Sequence, residues 1–373
     1  LVLPASVLPA LNDGGGGNLS KMAWLLETGC YLFDSEPLRR QLASIHAGRE
    51  RTQASMSYKI AALLYGPADL PADGTVNAES YLLSDTGLAV LRQDGYTAIV
   101  KAGRESGGHD HADRCNLILA DANRVWFADL GTSGYGHPLY RPWYRHTASH
   151  CTVMVDSKPQ QINVRGEILQ FDNPETHKLV TVRSDKAYAG ITLLRTVALV
   201  DGVVLDRFTV AASEPHDYAF MLHAPGDLAV KKAPTTQPGS TSRPAAPAPM
   251  AAGAASFPPI VAGLSETRAT WTDGKDQLAL IAGASAPFAV FGGKVSGFPG
   301  DRERSALALV VRGQTAVFAA AYSTGAAGNR IILRAEISPT GAAAFHTAGG
   351  KTFRLEPAEG HVRLIVGGAT QPQ

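Results

Sequence analysis

Five of the chain's eleven histidines, His109, His111, His137, His146 and His150, fall between Gly107 and Asp156. His109 and His111 stand two apart, and on a strand that spacing turns both imidazoles to one face, where Asp113 joins them if the strand stays regular. Asp129 closes the next apolar run, RVWFAD, and His150 stands just before CTVMVD. Three successive segments therefore bring imidazole, carboxylate and imidazole to neighbouring places. Neutral ring nitrogens with a carboxylate oxygen suit zinc, four-coordinate with water in the remaining position. The competing reading makes each histidine a solvated or hydrogen-bonded side chain. The H-x-H pair with an aspartate on the following segment tips the balance to a metal.

Between Asp129 and His150 the loop is aromatic and basic: Tyr135, His137, Tyr140, Arg141, Trp143, Tyr144, Arg145 and His146. Rings of this kind stack on sugar faces, and guanidinium forks hold carboxylate or sulfate in a bidentate way. Trp143 and Arg145 are candidate substrate contacts on that reading, with Arg104 beside the H-x-H pair. A packed loop with aromatic anchors is the alternative, and it is the preferred one for Trp143. His137 and His146 are assigned to loop hydrogen bonding.

These residues need a scaffold. A chain of 373 residues suggests two domains, and 45% hydrophobic with 18% charged residues describes a foldable globular chain. The net charge of +1 gives no general attraction to nucleic acid and no polybasic membrane patch, and no apolar run reaches spanning length. Three separated cysteines, Cys30, Cys115 and Cys151, make no disulfide framework. LVLPASVLPALNDGGGG begins without Met and reads as an interior segment of a longer chain.

Residues 1–75 read as a helical segment. Leu19, Met22, Ala23 and Leu26 share a helical face, as do Leu38, Leu42 and Ile45, then Ile60, Leu63 and Leu64. Asn18 or Ser20 is placed to cap the first helix, and Pro37 fits the first turn of the second. Three such helices cannot enclose a core alone. From about Glu79 the period becomes two, with a hairpin signal at Asp94-Gly95. More than ten short strands without intervening helices predict a mainly β fold over residues 76–373, a large antiparallel β-sandwich. The Pro- and Ala-rich stretch 231–259 interrupts it and reads as an insertion within one sandwich rather than a linker.

GGHDHAD, FADLGTSGYG and WYRHTASHCTVMVD, in that order, resemble the signature of the heparinase II/III-like family of polysaccharide lyases. The match is good from Tyr81 to Asp156 and weaker through RGEILQF, LLRTVALVDG and HDYAFMLHAPG, while LPALNDG resembles the end of the family's helical toroid. The resemblance implies an incomplete α/α toroid, of which the helical segment is the last part, followed by the sandwich. It implies one structural zinc per chain on His111, Asp129 and His150, with His109 at the catalytic surface. A tyrosine of the loop joins it. Tyr135 fits best by its distance from His150, with Tyr140 as the alternative.

The implied reaction is β-elimination beside a uronic acid in an anionic polysaccharide such as alginate or a glycosaminoglycan. It needs the uronate charge neutralised and a base, usually tyrosine. Free phenol titrates near pH ~10, so activation near neutrality takes roughly 4 kcal/mol of local positive potential. Arg104 and Arg145 are the candidates to hold carboxylate or sulfate. A periplasmic or secreted location follows from the same resemblance.

Two departures stand out. Cys151 occupies the place of a family Asn, and as the neighbour of His150 on a strand it should face away from the metal. The family's main base tyrosine lies in the toroid, and Tyr31, Tyr58 and Tyr65 do not sit in a matching context. The rivals are therefore a non-catalytic carbohydrate-binding or structural sandwich and, more distantly, a metallo-β-lactamase-like hydrolase. The latter's H-x-H-x-D normally continues with His, where this chain has Arg114.

Overall fold

The computed structural model describes residues 3, 7–46, 56–72, 74, 79–104, 107–231, 257–298, 303–325 and 332–368. Two compact units emerge: Leu1–Pro9 with Gly15–Glu79, and Ala10–Gly14 with Ser80–Gln373.

The first unit pairs β1 (Val7–Leu8) with β2 (Gly17–Asn18) and carries α1 (Ala23–Phe33), α2 (Glu36–His46) and α3 (Met56–Tyr65). Asn18 caps the turn that leads into α1, its Oδ1 accepting from Ser20 N at 2.8 Å. Ala23, Cys30 and Leu42 form a small core with Leu26, Leu38 and Ile45 around it. The third helix departs from expectation. It packs Ala62 against that core and buries Ala61, while Ile60, Leu63 and Leu64 are exposed. On α1, Trp24, Leu25, Tyr31, Leu32 and Phe33 are exposed as well. Eleven- and ten-residue helices have too few turns to bury two apolar faces on one another.

The second unit is antiparallel throughout its sheets. A five-stranded sheet runs β3 (Tyr81–Leu83), β4 (Leu88–Gln93), β5 (Tyr96–Lys101), β6 (Asn116–Ala120) and β7 (Val125–Phe127) in sequence order. Asp94 and Gly95 both take positive φ, 52° and 81°, the mirror-image turn that matches strand twist and that Asp-Gly accommodates.

A nine-stranded sheet follows, from β8 (Val153–Val155), β9 (Glu167–Asp172), β10 (Lys178–Tyr188), β11 (Ile191–Val200), β12 (Val203–Pro225), β13 (Asp227–Lys231), β14 (Pro259–Asp273), β15 (Asp276–Val295) and β16 (Arg304–Thr324). Its order is β13-β14-β15-β16-β12-β11-β10-β9, with β8 paired to β12. The third sheet is a meander of β17 (Ile332–Ile337), β18 (Ala343–Thr347), β19 (Thr352–Ala358) and β20 (His361–Gly367).

Alternation along β12 explains the layering. Val204, Phe208, Phe220 and Leu222 join the core shared with the five-stranded sheet, alongside Leu117, Leu119 and Phe127. Leu205 points the other way, into the core shared with Phe345, Phe353 and Leu355 of the four-stranded sheet. Burying each large apolar side chain contributes ~1.5–3 kcal/mol, which places most of the stability on the two faces of the central sheet. The expected sandwich is thus three layers deep.

β13 pairs with β14, Asp227↔Thr272 through Lys231↔Arg268, so strand pairing resumes within one sheet on both sides of the Pro- and Ala-rich stretch. Residues 232–256 of that stretch lie outside the described residues.

Candidate metal centre

The histidines and the aspartate are set on loops at strand ends, not on the strands themselves. His109 ends a short 3-10 turn, Gly107–His109, and residues 110–113 continue without regular structure, so the shared strand face expected for the H-x-H pair is not how the two rings are placed. Asp129 follows β7, and His150 follows the 3-10 turn Thr147–Ser149 ahead of β8. One ligand atom from each of His111, Asp129 and His150 lies within 4.8 Å of the other two. All three side chains are buried.

Hydrogen bonds fix which atom each residue offers. His111 Nε2 lies 3.1 Å from Asp13 Oδ1, and an ionised carboxylate only accepts, so Nε2 carries the proton and Nδ1 keeps its lone pair. His150 Nδ1 lies 3.0 Å from the His146 carbonyl, which fixes the opposite tautomer and leaves Nε2 bare. Asp129 Oδ1 accepts from Gly131 N at 3.0 Å. The remaining atoms, His111 Nδ1, Asp129 Oδ2 and His150 Nε2, are buried and make no hydrogen bond, the nearest opposite charge to His150 Nε2 being Asp129 Oδ1 at 3.5 Å. Buried polar atoms are normally satisfied. Three orphaned lone pairs from three different segments fit a divalent cation, with each ligand oriented by an outer partner.

Asp113, the other carboxylate of the H-x-H-x-D run, is diverted. Its Oδ2 takes Lys101 Nζ at 2.5 Å and its Oδ1 takes Arg114 Nη1 at 3.1 Å, with His150 Nε2 further off at 3.9 Å. Arg114 is buried and also pairs with Asp110. An arginine locked between two aspartates, in a fold without strand–helix alternation among the described residues, leaves no place for the metallo-β-lactamase reading.

Asp13 gave no sequence signal beyond its place in LPALNDG. Its oxygens meet His111 Nε2, His109 Nδ1 at 3.0 Å and the Tyr140 hydroxyl at 3.1 Å. Burial pulls its carboxyl upward, but the hydrogen bonds from His111, His109 and Tyr140 outweigh it and lower the pKa below the usual carboxylate range. The Ala10–Gly14 strap reaches this position by bridging Ala10 to Leu130. Gly131 makes room for it. With φ at 61°, a Cβ there would stand 2.4 Å from Gly14 O and 2.9 Å from Ala10 Cβ.

Tyr135 is exposed, and its hydroxyl lies 3.0 Å from His109 Nδ1. Tyr140 is buried, its ring 5.2 Å edge-on from that of Tyr135, and burial with the Asp13 carboxylate raises its pKa. Arg145 places its guanidinium over the Tyr140 ring and gives Nε and Nη2 to the Asp110 carbonyl at 3.1 and 2.7 Å.

Arg104 is exposed and lines a pocket of about 220 Å³ with Arg165, Ser84 and Glu167. Trp143 must be corrected. It is fully buried among Leu130, Met154 and Phe291, with Nε1 donating to Ser296 O at 3.0 Å, so it anchors the loop and cannot touch a sugar. Cys151 turns into the sandwich core, away from His150, where burial raises its thiol to about 12. It is a packing residue in this fold.

Two buried cations hold the site from below. Arg195 forks onto Asp206 at 3.0 and 2.6 Å and gives Nη1 to the carbonyls of Cys115 and Cys151, tying the loops of His111 and His150 to the central sheet. His223 Nε2 donates to Ser149 O at 2.6 Å, so its Nδ1 accepts from Arg304 Nε at 3.2 Å. Burial, then the Arg304 charge, pushes His223 down to about 3.

A pH dependence follows. The unfolded chain protonates this imidazole below pH ~6.5 while the folded chain does not, so stability is complete above that pH and falls toward pH 3 by up to ~1.4 kcal/mol per unit. Urea titrations between pH 7 and 4 should show this slope reduced by one proton in His223→Gln, and an unchanged slope would refute it.

The chain matches the family described as Heparinase II/III-like, C-terminal, over residues 75–325, and it belongs to that family. An exo-oligoalginate lyase of Saccharophagus degradans is 25% identical over 160 residues, 36% of this chain and 21% of the relative. Among solved structures, a heparinase III superposes with TM-score 0.65 at 14% identity, covering 98% of this chain and 50% of that one. The heparan sulfate lyase HepC from Pedobacter heparinus gives 0.63 at 14%, covering 100% and 52%. The chain thus spans about half the length of these structures, and at such identities the likeness establishes the fold.

Proposed function

We propose that the chain carries the sandwich portion of a polysaccharide lyase that cleaves a uronate-containing polymer by β-elimination, with one zinc on His111, Asp129 and His150. One observation carries the reading: the exposed His109–Tyr135 pair is tethered through Asp13 to a cluster of three orphaned metal-ligand atoms. Zinc would supply a fixed divalent charge and lock three loop segments together.

The chain's own residues then divide the work. Asp13 accepts the Nδ1–H of His109, so the proton stays on Nδ1 and the oxygen of Tyr135 faces an N–H, a donor for the phenolate form. Tyr135 is the base for the C5 proton. The electron pair released forms the C4–C5 double bond as the C4–O bond breaks, and the phenol returns its proton to the departing oxygen. Tyr140, a donor to Asp13 with a raised pKa, stays neutral and holds the carboxylate in place. Arg104, which shares a pocket with Arg165, is the proposed carboxylate or sulfate contact, and Arg145 braces Tyr140. The family resemblance proposes a periplasmic or secreted working place. No described helix is long and apolar enough to span a bilayer.

Zinc-loaded protein incubated with alginate, heparan sulfate and chondroitin should develop the ultraviolet absorbance of the new conjugated double bond with at least one of them. Tyr135→Phe should lower that rate by 10²–10⁴-fold. Saturable binding with no absorbance from any polymer would make the chain a carbohydrate-binding module instead.

A further inference from the structure

We infer that Asp13 is a positioning residue that couples the metal centre to the catalytic surface by dictating the tautomers of two histidines at once. The inference rests on the metal reading above and extends it to a residue outside the three ligands. Its carboxylate is almost fully buried and offers only lone pairs, and both nearby imidazoles must therefore present N–H to it. For His111 that frees Nδ1 toward Asp129 and His150. For His109 it frees Nε2 on a ring whose side chain is 69% exposed. Tyr140 donates to both Asp13 oxygens and completes the cradle. The strap that delivers Asp13 is seated against Gly131, two residues from the ligand Asp129, so the carboxylate and the ligand turn are positioned by the same contact.

Asparagine separates geometry from hydrogen-bond polarity. It is isosteric with aspartate but presents one acceptor and one donor group where the carboxylate presents two acceptors. One of the two rings must then invert its tautomer. The test compares the full chain with Asp13→Asn, Asp13→Ala and His150→Ala. Zinc affinity is measured by competition with a chromogenic chelator, and histidine tautomers by proton–nitrogen spectra of the zinc-free protein.

The expected result is a 10–100-fold loss of zinc affinity in Asp13→Ala, the range seen when an outer-shell partner is removed. In Asp13→Asn either His109 or His111 should change tautomer, with zinc affinity falling only if it is His111. If both Asp13 variants bind zinc like the parent and both rings keep their tautomers, the coupling role is overturned. If His150→Ala also binds zinc undiminished, the metal reading itself has failed, a result distinguishable from the first.

Discussion

On the proposed zinc and lyase assignment, replacing His150 with Ala should remove metal binding and elimination together, whereas His109→Ala should keep the metal and lose about 10²–10⁴-fold in rate. The split follows from where the two rings stand. His150 is buried, its Nδ1 committed to the His146 carbonyl and its Nε2 aimed among the orphaned atoms, and among the described residues it completes the one three-residue ligand cluster found. Among the described residues His109 reaches the centre through Asp13, and its ring reaches solvent beside Tyr135. Elemental analysis alongside the absorbance assay reads both quantities. Parallel loss of metal in the two variants would place His109 in the coordination sphere and dismantle the assigned roles.

The second large effect lies out of sight of substrate. Arg195→Met should destabilise the protein by ~3–5 kcal/mol in urea unfolding, because it leaves the Asp206 carboxylate buried with only the Tyr322 hydroxyl and removes the donor to two loop carbonyls. Those carbonyls belong to Cys115 and Cys151, so zinc affinity should fall with stability. Converting Asp206 to Leu in the same variant should restore part of the loss, since removing both charges costs less than orphaning one. A wild-type midpoint for the single variant would show that the pair contributes nothing net.

How much of this was legible in the sequence differs by level. The change from helical to alternating period near Glu79, the Asp-Gly hairpin and the three helices were readable because each rests on local spacing. The runs GVVLDRFTVAA and DYAFMLHA read as two strands, yet they form the single strand Val203–Pro225 with a register shift between Ala211 and His216. Ser213, Glu214 and Pro215 look like a turn, but the flanking residues stay paired to β16, and pairing rather than local propensity decides. At the site, residue type and order pointed to a histidine and aspartate cluster, and it was the family resemblance that picked His111, Asp129 and His150 from it. The strand geometry expected for the H-x-H pair failed because Gly107 and Gly108 begin a turn. Asp13 was invisible for a different reason. It lies 96 residues from His109 and 98 from His111, and no spacing rule spans a contact made by tertiary folding.

β12 and β16 pair along most of their lengths, with one register shift between Ala211 and His216, from beneath the loop that carries His150 to the face packed on the four-stranded meander. Neither end of the slab can melt without breaking a ladder shared with the other. A division into separately folding halves is therefore denied to this unit, and its slowest-exchanging amides should form one continuous band along both strands. A ligand gripping the loops at one end would then raise the opening free energy at the far end, about as much as it does locally.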